Sequence, residues 1–325
     1  MHNMELLKQL FEIHSPSGNE ERMVKYIKHF CKRIPNIKFK RDRWGNVYIT
    51  KGSSETFPCL AAHLDQVQRN YPKDFRTVET EDIIFGYSPG GREMYGIGAD
   101  DKVGLWIALR SLVKYKTLKV AFFVQEEVGC IGSNKADMNF FDDCRFVVEC
   151  DRRGYKDFIT SISSTPLCSE EFIKDCNIKQ FGFEKATGLM TDVLSLKEKG
   201  LNISCCNISC GYYNPHSSEE YIVKNDVYNT LSFVEHIIEN CTKVYTHITE
   251  KEDWNYRRSG YSYWEQREEL YMIVEDILQT HSDLTAEELK DFYGYYLDSL
   301  SISDYEEILQ EIRDYYLELN NENIA

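Results

Sequence analysis

Apolar residues recur along the first 250 positions at two alternating spacings, one helical and one extended, and that alternation predicts the architecture. Leu6, Leu7, Leu10, Phe11 and Ile13 fall at helical intervals. Ser15-Pro16-Ser17-Gly18 interrupts them, and Ser17 with Glu20 has capping-box spacing for a second helix carrying Met23, Val24, Tyr26, Ile27 and Phe30. Residues 38–41 and 46–50 read as a hairpin turning at Trp44-Gly45-Asn46. Residues 59–62 form a short buried strand with His63 at its end. A polar, Gly/Pro-rich stretch over 69–94 follows, with a hairpin at 82–87. A helix over 105–112 comes next, then strands over 118–124, 145–150 and 158–163, a helix over 191–199, a strand over 203–207, a loop over 212–216 and a long helix over 224–240. Strands alternating with helices predict a three-layer α/β/α core around a mixed, largely parallel sheet. The run 118–124 is almost wholly apolar, as an interior strand covered on both faces requires.

Residues 251–325 have a different pattern. Trp264, Leu270, Ile273, Val274 and Leu278 mark one helical face. Thr285 with Glu288, and Ser303 with Glu306, have capping-box spacing for two more helices. The expected division is a catalytic domain over 1–250 and an acidic, tyrosine-rich helical appendage over 251–325. Its apolar periodicity is too regular for low-complexity disorder. Packing against the core is the plain role for these helices. A lid substitute or a surface for homo-oligomers is the functional one, since aromatic-rich helices supply interface anchors.

Charge sharpens the division. The chain of 325 residues carries a net charge of -15, and residues 251–325 hold 19 acidic and 6 basic side chains. The first 250 residues are therefore nearly neutral, with no basic surface to displace counterions from a nucleic acid. No apolar run approaches the roughly 18–20 residues of a membrane span. The chain opens straight into a helical pattern without a charged-then-apolar leader, and its 11 cysteines are scattered, often within apolar runs. Reduced core thiols and a cytoplasmic location are expected.

Candidate chemistry falls at strand ends, the edge where open α/β sheets place ligands. His63, Asp65, the Asp100-Asp101 pair at a glycine-rich helix start, Glu126-Glu127, Asp151 and His216 come from five elements. Imidazole and carboxylate are zinc donors, and two histidines with several carboxylates suit a pair of zinc ions. A bridging carboxylate holds two metals about 3.5–4 Å apart. Asp65 can accept the second N–H of His63 and fix its tautomer. Two adjacent carboxylates after a buried strand repel one another. With metal nearby, one of Glu126 and Glu127 can bind it while the other takes a proton from water.

The motifs His63-x-Asp65, Gly98-Ala99-Asp100-Asp101-Lys102-x-Gly104, Glu126-Glu127-x-Gly129, Asp151 and Asn214-x-His216 resemble the dinuclear zinc exopeptidases. Peptidase-T-like, glutamate-carboxypeptidase-like and glutamyl-aminopeptidase-like enzymes are the nearest in pattern, over about residues 5–245. The resemblance implies that Asp100 bridges two metals, that His63 and Asp151 complete one site, and that Glu127 and His216 complete the other. Glu126 would be the general base and Asp65 the clamp on His63. Asp101 reads as a helix-start or supporting group and Lys102 as structural. Asp151 and His216 are 65 positions apart, too few for the inserted lid of the peptidase T type, and His63 and Asp100, 37 apart, lack the insert of the glutamyl-aminopeptidase type. A stripped-down core without the usual lid is expected.

Further candidates are weaker. Cys205, Cys206 and Cys210 lack a second cysteine pair or histidine at metal spacing. Arg152-Arg153 could fork a substrate carboxylate, and Tyr212 and Tyr213 could bond an oxyanion. The expected function is metal-dependent hydrolysis of amide bonds in small peptides, as an aminopeptidase or dipeptidase. Two divalent ions would serve, zinc first, with manganese or cobalt as alternatives. A deacylase of N-acyl amino acids needs the same metals. A non-catalytic scaffold that kept the fold would need neither Glu126 nor the ligands.

Overall fold

The computed structural model of the chain describes residues 4–162 and 165–248 continuously and, beyond them, residues 263, 267, 270, 271, 274, 285–293, 297 and 299–322. Two compact units result, Met1–Thr249 and Glu250–Ala325.

The first unit is built on a nine-stranded mixed sheet. Its spatial order is β1 (Ile37–Arg41), β2 (Val47–Lys51), β7 (Leu118–Phe123), β3 (Phe57–His63), β8 (Cys144–Arg152), β12 (Cys205–Ser209), β9 (Asp157–Ile162) and β10 (Thr165–Pro166), with β11 (Glu184–Gly188) also pairing β9. The centre is parallel: β3 pairs both β7 and β8, and β8 pairs β12. Alternation along these strands makes two cores. Leu60, Ala62, Val120, Phe122, Phe146 and Val148 pack on one face with residues of α1 (Glu5–Phe11), α2 (Glu21–Cys31), α3 (Ala99–Lys114), α4 (Glu170–Cys176) and α6 (Lys224–Asn240). Cys59, Ala61, Ala121, Phe123 and Val147 pack on the other with Val193 and Leu196 of α5 (Asp192–Glu198). The three-layer arrangement read from the sequence is thus present. Parallel register sends the C-terminal ends of β3, β7 and β8 to one edge.

Several local expectations change. Ser17 and Glu20 do not form a capping box: α2 starts at Glu21 with no side-chain cap bond, and both side chains are spent elsewhere. The stretch 69–94 makes more than a hairpin. β4 (Arg76–Glu79), β5 (Ile83–Ser88) and β6 (Glu93–Tyr95) join β13 (Tyr212–Tyr213) and β14 (Tyr221–Val223) in a second, five-stranded sheet. The expected loop at 212–216 therefore begins as a strand. The strand expected at 203–207 lies two residues later as β12, and Ile203 makes an isolated bridge to Thr246. α3 begins at Ala99, six residues before the apolar run that predicted it.

The second unit has a cluster of Leu270, Val274, Ala286, Leu289, Leu297, Leu300, Tyr305, Ile308, Leu309 and Ile312, drawn in part from helices α7 (Ala286–Tyr293) and α8 (Ile302–Glu322). Leu270 and Val274 are buried as their periodicity predicted; Trp264, Ile273 and Leu278 lie outside the described residues. The helix at 302 is not started by Ser303. Asp304 instead accepts hydrogen bonds from the N–H and hydroxyl of Ser301, both at 2.6 Å, a capping pair two residues upstream of the expected one. No described helix is long and apolar enough to cross a membrane.

Candidate metal centre

The sheet edge gathers the polar residues that the chain keeps far apart in sequence. His63 is the last residue of β3, and Asp151 lies near the end of β8. Glu126 and Glu127 follow β7 on a turn in which Gln125 has φ +56°. Asp100 stands at the start of α3, behind Gly98, whose φ of +60° is the left-handed conformation that favours glycine. The Asp100–Asp101 peptide is cis. His216, with φ +64°, follows β13.

Asp100 faces both imidazoles. Its Oδ1 lies 2.9 Å from His63 Nε2 and its Oδ2 3.3 Å from His216 Nε2. Asp151 Oδ1 is 3.6 Å from His63 Nε2, while Glu127 Oε2 is 3.0 Å from His216 Nε2. Glu126 Oε2 approaches His63 Nε2 to 4.0 Å. Ligand atoms of His63, Glu126 and Asp151, and those of His63, Asp100 and Glu127, lie within 4.8 Å of one another in each trio. His216 has 31% of its side chain open to solvent, more than any of its partners, so solvent reaches the cluster there.

Burial sets the electrostatics. It pushes Asp151 well above the usual carboxylate range, and the charge of Asp100 adds to this. Glu126 is driven up by burial and by Asp151, Asp192 and Glu127, against the pull of His63. Burial also raises Glu127, with His216 and Asp100 acting in opposite directions. For Asp100, burial is outweighed by hydrogen bonds from His216 and His63, which hold it well below. Four buried carboxylates and two histidines in one place is a donor set that lacks positive charge. Glu127 Oε1, His63 Nδ1 and His216 Nε2 are buried without a hydrogen-bond partner. These residues fit divalent metal.

The supporting residues are where the sequence reading was thinnest. Asp65 Oδ1 sits 3.4 Å from His63 Nδ1, beside the ring but without a hydrogen bond to it. Asp65 accepts instead the N–H groups of Glu126 at 3.0 Å and Glu127 at 3.3 Å, which motif spacing did not reveal. Asp101 is turned away from the histidine rings: its Oδ2 accepts His63 N–H at 3.2 Å and its Oδ1 accepts Gly104 N–H at 2.9 Å. A Cβ at Gly104 would collide with that carboxylate. Lys102 is buried, donates to Gln66 Oε1 at 2.6 Å and Ile97 O at 3.1 Å, and is pushed down to about 7 by burial. Tyr212 donates to Asp151 Oδ1 at 3.2 Å, whereas Tyr213 donates to Asp226 at 2.6 Å. Arg152 is paired with Asp157 at 3.3 Å rather than held for a ligand. Cys205, Cys206 and Cys210 are buried free thiols, and no described cysteine joins a metal-type cluster.

Three residues, Glu220, Asn207 and Glu149, were not singled out in the sequence. Glu220, four positions after His216, accepts Gly98 N–H at 2.7 Å and Asp100 N–H at 3.1 Å. Asn207 pairs with the backbone of Asp151 through bonds of 2.9 and 2.7 Å. Glu149, two before Asp151 on the same strand face, accepts from the Thr191 hydroxyl. Asp192 beside it is wholly buried.

No protein-family model matches this chain, and no curated protein matches its sequence. Solved structures do match. Aminopeptidase PepT from Bacillus cereus superposes with a TM-score of 0.60 at 14% identity, covering 74% of this chain and 99% of that one. A tripeptidase from Staphylococcus aureus gives 0.60 at 14%, covering 73% and 97%. The TET1 peptidase of Pyrococcus horikoshii, which can assemble into a tetrahedron or a large octahedral shell, gives 0.53 at 17%, covering 72% and 98%. At such identities the likeness is one of fold, and the chain has the fold of these peptidases.

Proposed function

We propose that the protein is a metal-dependent hydrolase that cleaves amide bonds in small peptides from their free amino end, as an aminopeptidase or dipeptidase. The observation that carries this reading is the Asp100 carboxylate, with one oxygen toward each of two histidines that have separate carboxylate partners. That is the layout of two adjacent sites sharing one ligand. His63 and Asp151 would hold one ion, Glu127 and His216 the other, with Asp100 between. A pair of divalent ions, zinc before manganese or cobalt, would supply an acidified water and a Lewis acid for the scissile carbonyl. Glu126, whose Oε2 is 4.0 Å from His63 Nε2, would take the proton of the attacking water and return it to the departing amine. Asp65 holds the backbone of both glutamates and would turn to clamp the His63 ring, which its Oδ1 approaches to 3.4 Å. Asn207 and Tyr212 fix Asp151.

The deciding experiment pairs metal content with a substrate panel. Protein purified with zinc present is expected to hold about two ions per chain and to cleave free-amine di- and tripeptides in preference to their N-acylated forms. Preference for the blocked peptides would move the reading to a deacylase, and a metal-free protein would end it. Self-association, suggested by the Pyrococcus peptidase, is expected to show in sedimentation of the full chain; a monomer at all concentrations would remove it.

A further inference from the structure

The turn that carries Glu126 and Glu127 satisfies its own carbonyls but not its first three N–H groups. β7 ends at Phe123, Val124 N–H is taken by Asn46 Oδ1 at 3.3 Å, and the chain then bends through Gln125 with φ +56°. The carbonyls of Val124, Gln125 and Glu126 accept from Gly132, Ile131 and both Gly129 and Cys130, closing the turn on itself. The three successive N–H groups of residues 125–127 all point the other way, and each is met by a carboxylate. Glu20 Oε1 accepts from Gln125 at 3.2 Å, and the two oxygens of Asp65 accept from Glu126 and Glu127.

Both acceptors are tied to the segment between α1 and α2. Ser17 donates its hydroxyl to Asp65 Oδ2 at 2.7 Å, and Glu20 is held by Gly18 N–H at 2.8 Å. The same segment is fastened to the chain after His63 by the Pro16–Gln66 bridge and by Ser15 N–H on Gln66 Oε1 at 3.2 Å. Glu20 is 6% exposed and its side chain does not cap the helix it precedes. A helix start needs no buried carboxylate turned away from it, so the placement calls for another explanation.

We propose that Glu20, with Ser17 behind Asp65, is a positioning residue for the loop bearing Glu126 and Glu127. It fixes the first amide of the run as Asp65 fixes the next two, and so sets where both glutamate side chains point. Its kinetic consequence rests on the peptide-hydrolase reading; its effect on metal affinity and on the loop itself does not.

The experiment compares Glu20→Ala, Glu20→Gln and Glu20→Asp in the full chain by zinc titration against a chromophoric chelator, steady-state kinetics and amide exchange of the 124–132 stretch. The glutamine keeps an acceptor oxygen at the same reach, whereas the aspartate is one methylene short. Glu20→Ala is expected to weaken zinc binding and lower kcat by about 10–100-fold with KM little changed, and to expose the 125–127 amides. Glu20→Gln should restore all three. Wild-type zinc affinity, kcat and exchange in a folded Glu20→Ala protein would overturn the proposal. So would equal losses in the alanine and glutamine variants, the mark of a general loss of fold. If the alanine variant does not fold, Glu20→Asp carries the test, with wild-type behaviour as the refuting result. A wild-type protein without peptide turnover, in which the exchange and zinc patterns still hold, would sink the hydrolase reading and leave the positioning role standing.

Discussion

Two pairs of adjacent acids stand at the same sheet edge, and the structure uses them in opposite ways. In Asp100-Asp101 the work is divided: the first side chain meets two histidines, and the second binds the backbone of His63 and Gly104. In Glu126-Glu127 neither side chain serves the backbone. Both enter the site, and the main-chain donors beneath them are satisfied by Asp65. Side-chain type and spacing are alike in the two pairs. What separates a carboxylate that faces the histidines from one that supports the backbone is where its hydrogen bonds go, because a buried acid is stable only beside donors or cations.

The comparison can be broken most sharply at its first member. Asp100→Ala is expected to remove both metals and turnover with them, read by metal analysis of purified protein; retention of either ion at full occupancy would deny it the shared position. Next in size is Glu126→Ala, expected to lower kcat by about 10²–10⁴-fold while metal content stays at the wild-type level. A fully active variant would refute the base assignment. Asp101→Ala should spare metal but cost about 1–3 kcal/mol for each of the two N–H groups it strands, measured by urea unfolding. Loss of metal there would mean that the two aspartates are not divided as described.

The smallest effect lies outside both pairs and serves as a control on acid stability. His247 Nδ1 accepts from Lys197 Nζ at 3.0 Å, and burial, aided by that charge, pushes the imidazole down to about 4. Unfolded, it would titrate near the ordinary 6.5. The unfolded chain therefore binds more protons between those values, so this contribution is complete above about pH 6.5 and is lost as pH falls through about 4. His247→Gln is expected to make the decline of melting temperature across that window slightly shallower. An unchanged slope would show that the histidine titrates alike in both states.

Much of this was legible in the sequence because the informative signals were local. The apolar runs at 59–62 and 118–124 fixed two central strands, and His63 and the glutamates sit within a few residues of their ends. Lys224–Asn240 was readable for the same reason, as 17 residues of regular helical pattern. The misses share a different physics. β13 and β14 are two and three residues long and acquire strand character by pairing with each other and, through β14, with β5 before α3. Ser17 and Glu20 have the right spacing for a cap, but Glu20 is drawn off by the Gln125 amide and Ser17 by the Asp65 carboxylate. Glu220 carried no motif signal, since its bonds are to backbone that could be any sequence.

Glu220 has one more consequence, for the order in which the molecule is completed. Gly98, at the N-terminus of α3, gives no side-chain cap of its own; the acceptor for its N–H is Glu220, 122 residues further along the chain. A growing polypeptide that has not reached that point has the apolar body of α3 but no means of seating the turn that bears Asp100. The turn that carries Asp100 is thus locked by one of the last pieces of the first unit to be synthesised.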